Sequence, residues 1–270
     1  MNKIIVSVSG GKDSTAMLLK AIDEYPKDDI IPVFCDTGWE HPATYEYLNY
    51  LEKTLNITIT RIKNKRFDNL LDMIRKKKMF PTSDPKYHYC SYELKKVPFW
   101  HFLKQFNEPV ENWIGIRTQE SKNRERQYSG ISPDELFDYA DTYPNSPNYC
   151  HIHKTRYPII DLSLADIMKF YKKRNIKLNP LYYEFNIRVG CYPCILSYMD
   201  SWAIVYKSEI GKKNILKLVE LEKELNYLMP GRNIKIKPDM NGQKILELLE
   251  NKGCQLFPDK QIYYCHVCNV

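Results

Sequence analysis

A β-rich apolar run, Lys3–Ser9, breaks off at Ser9-Gly10-Gly11-Lys12-Asp13-Ser14, which packs two glycines, a lysine, a carboxylate and two hydroxyls into six residues. That string suits a phosphate chain. Glycines, lacking Cβ, let a backbone approach a ligand closely. A helix beginning there offers unpaired N–H groups and a positive dipole end. Lys12 adds a point charge, and Ser9 and Ser14 add hydroxyl donors. The spacing GxxxxGK[ST] is absent, so this is not an ordinary P-loop. A tight turn without a ligand needs only the glycines; the ordered string around them points to phosphate binding.

The cysteines are the second chemical feature. Of eight, five fall in suggestive places: Cys90, Cys191, Cys194, Cys265 and Cys268. From spacing alone, Cys191/Cys194 with Cys265/Cys268 make two CxxC pairs suited to one tetrahedral Zn²⁺, because closely spaced thiolates reach a single ion with little chain strain. Cys35 and Cys254 read as small buried hydrophobes. Cys150, in Tyr149-Cys150-His151-Ile152-His153, stays unassigned.

The elements that must position these residues alternate. After the loop, Met17, Leu18, Ala21 and Ile22 recur at helical spacing over Asp13–Glu24. A strand Ile30–Cys35 ends at Asp36-Thr37-Gly38. Pro42 opens a helix carrying Leu48, Leu51 and Leu55. A third strand, Ile57–Ile62, precedes a helix with Phe67, Leu70, Leu71 and Ile74, and a fourth spans Trp113–Ile116. This alternation predicts βαβ units: an α/β fold with a doubly wound, mostly parallel sheet and helices on both faces. Residues 129–157, rich in Pro, Tyr, Asn and Asp, read as a long surface excursion, a candidate flap. Ile215, Leu218, Val219 and Leu225, then Ile245, Leu248 and Leu249, predict a helical C-terminal extension. The division expected is residues 1–200 for the α/β domain and 201–270 for a helical subdomain ending in the second CxxC.

Composition bounds the class. With 43% hydrophobic and 27% charged residues over 270, the chain has the mix of a globular protein. No apolar run approaches the ~20 residues that span a bilayer. The N-terminus reads straight into a strand, so a cytoplasmic location is expected. The net charge of +7 collects in short runs, Lys63–Arg66, Arg75–Lys78 and Lys172–Arg174, which suit either a solvated face or a polyanion such as nucleic acid.

Ser9–Ser14 on a first strand resembles the pyrophosphate (PP) loop of the adenine nucleotide α-hydrolase superfamily. Phe34-Cys35-Asp36-Thr37-Gly38-Trp39-Glu40 looks like the segment that lies beside the adenosine in its phosphoadenosine phosphosulfate (PAPS) reductase family. Further matches follow in family order: Trp113–Arg117 with Glu120, Ser121 and Arg124; Pro158–Asp161; Asn179–Tyr182; and Val189–Cys194. Together they cover roughly residues 3–200. The resemblance implies an adenine nucleotide at Ser9, Gly10, Gly11, Lys12, Asp13, Ser14, Asp36, Thr37 and Gly38. It also implies a [4Fe–4S] cluster on Cys90, Cys191, Cys194 and either Cys265 or Cys268, where spacing alone suggests zinc. Pro158–Asp161 and Asn179–Tyr182 are expected to shape the edge of the site without touching the chemistry.

Two departures argue against a reductase proper. Lys12 is retained in the loop, where the sulfonucleotide reductases replace it, and the chain ends Cys265-His266-Val267-Cys268 rather than in Cys-Gly-Leu-His. Tyr89 also stands where cluster-bearing reductases carry a second cysteine. The resemblance lies nearer phage-borne and DNA-phosphorothioation-type members. The expectation is an ATP pyrophosphatase using Mg²⁺, with Lys12, Asp13, Arg117 and Arg124 in catalysis and Asp13 and Asp36 as metal-orienting carboxylates. It would activate an acceptor for sulfur transfer or nucleic-acid modification. The alternatives are a reductase releasing sulfite, with Cys265 or Cys268 as nucleophile, and a non-catalytic nucleotide-binding partner of a larger assembly.

Overall fold

The computed structural model describes residues 3–185, 187–197, 199–226 and 242–252. Six strands form one sheet in the order β3-β2-β1-β4-β6-β5. They are β1 (Ile4–Ser7), β2 (Ile30–Cys35), β3 (Thr60–Ile62), β4 (Glu111–Trp113), β5 (Phe137–Asp138) and β6 (Lys154–Arg156). All neighbours pair in parallel except β5 with β6. The chain winds outward from β1 through β2 to β3, then crosses to the other side of β1 for β4. The carboxyl ends of β1 and β4 therefore flank the point where the winding reverses, the place where open α/β sheets take ligands.

Side-chain alternation along β1 explains the two layers. Ile4 and Val6 face a core shared with α1 (Lys12–Glu24), α2 (Pro42–Leu55) and, later, α8 (Leu164–Arg174), through Leu18, Leu48, Leu51 and Ile167. Ile5 faces the opposite way, onto Phe99, Trp100 and Leu103 of α5 (Val97–Leu103). Helices cover both faces, as the sequence implied. Pro42 occupies the first turn of α2, and His41 caps it, its Nδ1 accepting from the Ala43 amide at 3.1 Å. The structure begins β3 at Thr60 and ends β4 at Trp113, shorter than the apolar runs suggest, because ladder pairing stops there.

The excursion expected at 129–157 is corrected. It supplies β5, a helical turn and β6; β6 pairs with β4 in the register Trp113↔Arg156, and Tyr139, Cys150, His153 and Thr155 are buried. Lys154-Thr155-Arg156 has no apolar run to announce a strand. Only Thr155 faces inward, and the Arg156 guanidinium stacks over the Trp113 ring at 5.4 Å.

Between β3 and β4 lie α3 (Leu70–Lys77), a short turn α4 (Tyr89–Ser91), a π-helical turn Tyr92–Lys96 and α5; α6 (Lys122–Tyr128) follows β4 and α7 (Tyr139–Thr142) follows β5. Helices α9 (Met199–Tyr206), α10 (Glu209–Leu225) and α11 (Gly242–Lys252) form the C-terminal extension. They share a core with α3, in which Met73 and Ile74 meet Ile215, Leu218 and Ile245. Among the described residues no helix is long and apolar enough to cross a membrane.

The turn after β2 depends on one glycine. Gly38 sits at φ +64, and a Cβ there would lie 2.8 Å from both Asn69 Cβ and the Asp68 carbonyl oxygen. Gly38→Ala should cost about 2–4 kcal/mol, combining left-handed strain with overpacking against backbone that cannot move away. Urea unfolding monitored by circular dichroism measures it; a loss under about 1 kcal/mol would show that the turn relaxes freely.

Candidate nucleotide site

The loop forms because a parallel strand must hand the chain directly into a helix. Gly10 makes the turn at φ +74, with Gly11 as the N-cap of α1, a residue with no side chain to cap the helix. The loop is braced from several directions. Ser14 Oγ donates to the Gly11 carbonyl at 3.1 Å and accepts from the Ser9 amide at 3.1 Å. Asn179 Nδ2 donates to the Gly10 carbonyl at 3.2 Å. Tyr171 on α8 donates its hydroxyl to the Lys12 carbonyl at 3.0 Å, and the Tyr182 hydroxyl accepts from the Lys12 amide at 3.0 Å. Gly115, just past β4, lies so close that a Cβ on it would come 3.4 Å from Ser14 Cα.

Charge gathers at the loop's mouth. The Asp13 carboxylate takes the Lys12 ammonium on one oxygen at 2.7 Å and Arg117 Nε on the other at 2.6 Å. Arg117 is only 4% exposed and also donates to the Leu162 carbonyl at 3.1 Å, so it is no surface residue. Glu120 pairs with Arg124. Burial and the nearby Arg188 charge hold the Arg124 guanidinium below its ordinary value. Like charges held together this way repel unless an anion lies among them.

These side chains line one cavity of about 570 Å³, the size of a small-molecule site. Ser9, Gly11, Lys12, Asp13 and Ser14 form its floor with Arg117, Arg124, Tyr182 and Arg188. Phe34, Cys35, Glu40, Lys96, Phe99 and Tyr143 complete its lining. Gly10 and the segment Asp36-Thr37-Gly38 stand off the cavity wall. Asp36 instead closes its own turn: its Oδ1 accepts from the Gly38 amide at 2.8 Å and from the Tyr45 hydroxyl at 2.7 Å. The acid that reaches the cavity from this segment is Glu40. Burial pushes its carboxyl above the ordinary range, against the opposing pull of the Thr37 hydroxyl and Lys95. Cys35 packs against the Phe99 and Leu103 core and also lines the cavity, and burial pushes its thiol up to about 12.

Several wall residues escaped sequence reasoning. Glu40 lies inside a matched segment but carried no role there. Tyr182 read as part of the site's edge, yet it touches the loop. Lys95 and Lys96, in the π-helical turn, also carried no role, and Tyr143 and Arg188 had no signal, being single residues in irregular stretches.

The two later segments meet at the cysteines. Glu40 forms an isolated bridge with Cys191, the Tyr192 amide donates to the Trp39 carbonyl at 2.8 Å, and Trp39 Nε1 donates to the Pro193 carbonyl at 3.1 Å. Cys90, Cys191 and Cys194 border the same apolar cluster. Among the described residues, however, no three Cys, His, Asp or Glu side chains converge as a metal-binding group. Cys265, Cys268 and Cys254 lie outside the described residues. The described thiols alone therefore do not fit a [4Fe–4S] or zinc centre. Cys150, left unassigned above, is buried in the core beside Tyr139.

Two of the three basic runs carry ion pairs. Arg75 pairs with Glu224, Lys76 with Asp72 and Lys77 with Glu93, while Lys173 and Arg174 both pair with Asp23.

The phosphoadenosine phosphosulfate reductase domain profile matches residues 3–197. A 37.8 kDa protein of Escherichia phage 186 is 31% identical, over 71% of this chain and 66% of its own length. A protein of Methanocaldococcus jannaschii is 28% identical, over 71% of this chain and 41% of its own. The chain thus spans between about two fifths and two thirds of these relatives. The phosphate complex of the PAPS reductase from Candida auris superposes with a TM-score of 0.51 over 72% of this chain and 83% of that one, at 13% identity, which speaks for the fold alone. With its sheet order, its loop and a profile match over more than two thirds of its length, the chain belongs to the phosphoadenosine phosphosulfate reductase family.

Proposed function

We propose that this chain is an ATP pyrophosphatase within its family, transferring the adenylyl group of ATP to an acceptor. The observation that carries the reading is the ion-paired trio Lys12–Asp13–Arg117 at the N-terminus of α1, with Arg124 and Arg188 on the same wall. An adenylyl transfer breaks the bond between the α-phosphorus and the bridging oxygen, and the electron pair leaves on pyrophosphate. The site must therefore stabilise charge that develops beyond the α-phosphate. Preorganised cations and a helix N-terminus, held in place before the reaction, do this without reorganisation cost. The acceptor's nucleophile attacks the α-phosphorus from the side opposite the leaving oxygen, which assigns it to the part of the cavity lined by Glu40, Lys96 and Tyr143.

Asp13 is the carboxylate placed to meet Mg²⁺. That ion ordinarily takes one or two protein carboxylates and completes its shell with water and substrate phosphates, so a single acid on the cavity wall fits it. Bound there, it would neutralise phosphate charge. Asp13 would hold the ion, and Lys12 and Arg117, its present partners, would meet the phosphates. Glu40, with its raised carboxyl, is the group on the acceptor side able to hold a proton.

The reductase alternative draws on the family match itself. Two assays run side by side separate them: pyrophosphate from ATP with Mg²⁺, and sulfite from PAPS with a dithiol. Both are run with and without DNA and RNA over a salt series. Pyrophosphate release from ATP, abolished in Lys12→Ala together with a loss of about 1.5–3 kcal/mol in ATP affinity, is expected. Sulfite from PAPS with no pyrophosphate from ATP under any condition would replace this reading by the reductase.

We also propose a cysteine-bound metal centre, completed by Cys265 or Cys268. Iron, sulfide and zinc are measured in protein isolated without oxygen. Stoichiometric iron and sulfide, lost in Cys191→Ser and retained in Cys35→Ser, is the expected outcome. Protein free of iron, sulfide and zinc would remove the centre.

A further inference from the structure

Lys12 is gripped by its backbone from two sides, and the two grips are chemically different. Tyr171 spends its hydroxyl proton on the Lys12 carbonyl at 3.0 Å. Tyr182 does the opposite: its oxygen accepts the Lys12 N–H at 3.0 Å, which leaves its own proton uncommitted. Among the described residues the Tyr182 oxygen has no other hydrogen-bond partner. The ring lies along the cavity wall, with the Lys12 ammonium 5.9 Å from its centroid. Gly11 makes room for this arrangement, since a Cβ there would lie 3.3 Å from the Tyr182 oxygen.

We infer that Tyr182 is a phosphate-binding residue: it takes up the first N–H of α1 and passes that donor outward as its own O–H, aimed at the leaving pyrophosphate oxygens. A hydroxyl that accepts from a backbone amide is polarised and donates more strongly in turn. Burial drives the Tyr182 phenol above its ordinary value, so it stays protonated and remains a donor. The loop thus replaces one amide that would reach a phosphate directly with a hydroxyl one side chain further out. This moves the bound anion away from the helix end and toward Arg124 and Arg188. It also gives Gly11 a reason specific to this chain, since a Cβ there would crowd the phenol and Ser9 Oγ, each at 3.3 Å.

The inference rests on the pyrophosphatase reading, and the probes keep the two apart. Calorimetry with inorganic pyrophosphate, tripolyphosphate and AMP is run on the full chain and on Tyr182→Phe, which keeps the ring and removes only the hydroxyl. Tyr182→Phe should bind pyrophosphate and tripolyphosphate about tenfold or more weakly, the scale of one hydrogen bond to a charged group, and bind AMP with a less than twofold change. If Tyr182→Phe does not fold, Gly11→Ala, which crowds the phenol, should show the same selective loss at smaller size. Unchanged pyrophosphate affinity in the variant would overturn the inference alone. Equal losses for AMP and pyrophosphate would make Tyr182 a structural brace and overturn it as well. A wild-type protein that binds AMP but neither polyphosphate would remove the pyrophosphatase reading, and this inference with it.

Discussion

The site turns on a carboxylate with two cations. Asp13 holds the Lys12 ammonium on one oxygen and Arg117 on the other, and all three lie where β1 and β4 deliver their carboxyl ends. Asp13 is 9% exposed and Arg117 4%, so neither charge could stand there alone: an unpaired buried ion costs several kcal/mol. Asp13 lets the cations be present before a ligand arrives. The remaining architecture serves that arrangement. Gly115 brings the end of β4 against Ser14, which sets Arg117 beside Asp13. Asn179, Tyr171 and Tyr182 fix the loop carbonyls and the Lys12 amide, so the lysine projects from an anchored backbone.

Preorganisation of this kind has a chemical consequence. Cations already neutralised by a carboxylate attract a lone monophosphate weakly. A ligand that brings a divalent cation replaces the carboxylate's partners and the cations' partner together. In the proposed reaction this would favour a metal-bearing polyphosphate over a bare anion. Elsewhere in the cavity, Glu40, Lys96 and Tyr143 form a drier wall, where Lys96 lies over the Tyr143 ring at 5.4 Å and burial lowers its ammonium's ordinary value.

Much of this was legible in the residues. The glycines of Ser9–Ser14 announced the tight turn from β1 into α1, and the alternation of strands and helices announced a parallel sheet covered on both faces; both follow from local spacing. Where reading failed, the cause was tertiary. Strand β6 is three residues with one inward side chain, and only its pairing with β4 makes it a strand. Arg188 and Lys96 join the site from irregular or π-helical backbone, which has no period to reveal which side chains face inward. Asp36 looked like a ligand because an acid ends β2, but its carboxylate is satisfied within its own turn, and Glu40 reaches the cavity instead. The ion pairs on two of the basic runs were not visible because Glu224, Glu93 and Asp23 are distant in sequence.

The most direct test of the central interaction is the Mg²⁺ dependence of ATP binding in the wild type and in Asp13→Asn, measured by calorimetry with excess chelator or excess Mg²⁺. With the carboxylate as the exchange point, wild-type affinity should rise at least about tenfold when Mg²⁺ is supplied. Asp13→Asn should lose that rise while binding metal-free ATP at least as tightly as the wild type, because its two cations are no longer neutralised. An unchanged Mg²⁺ enhancement in Asp13→Asn would contradict the account.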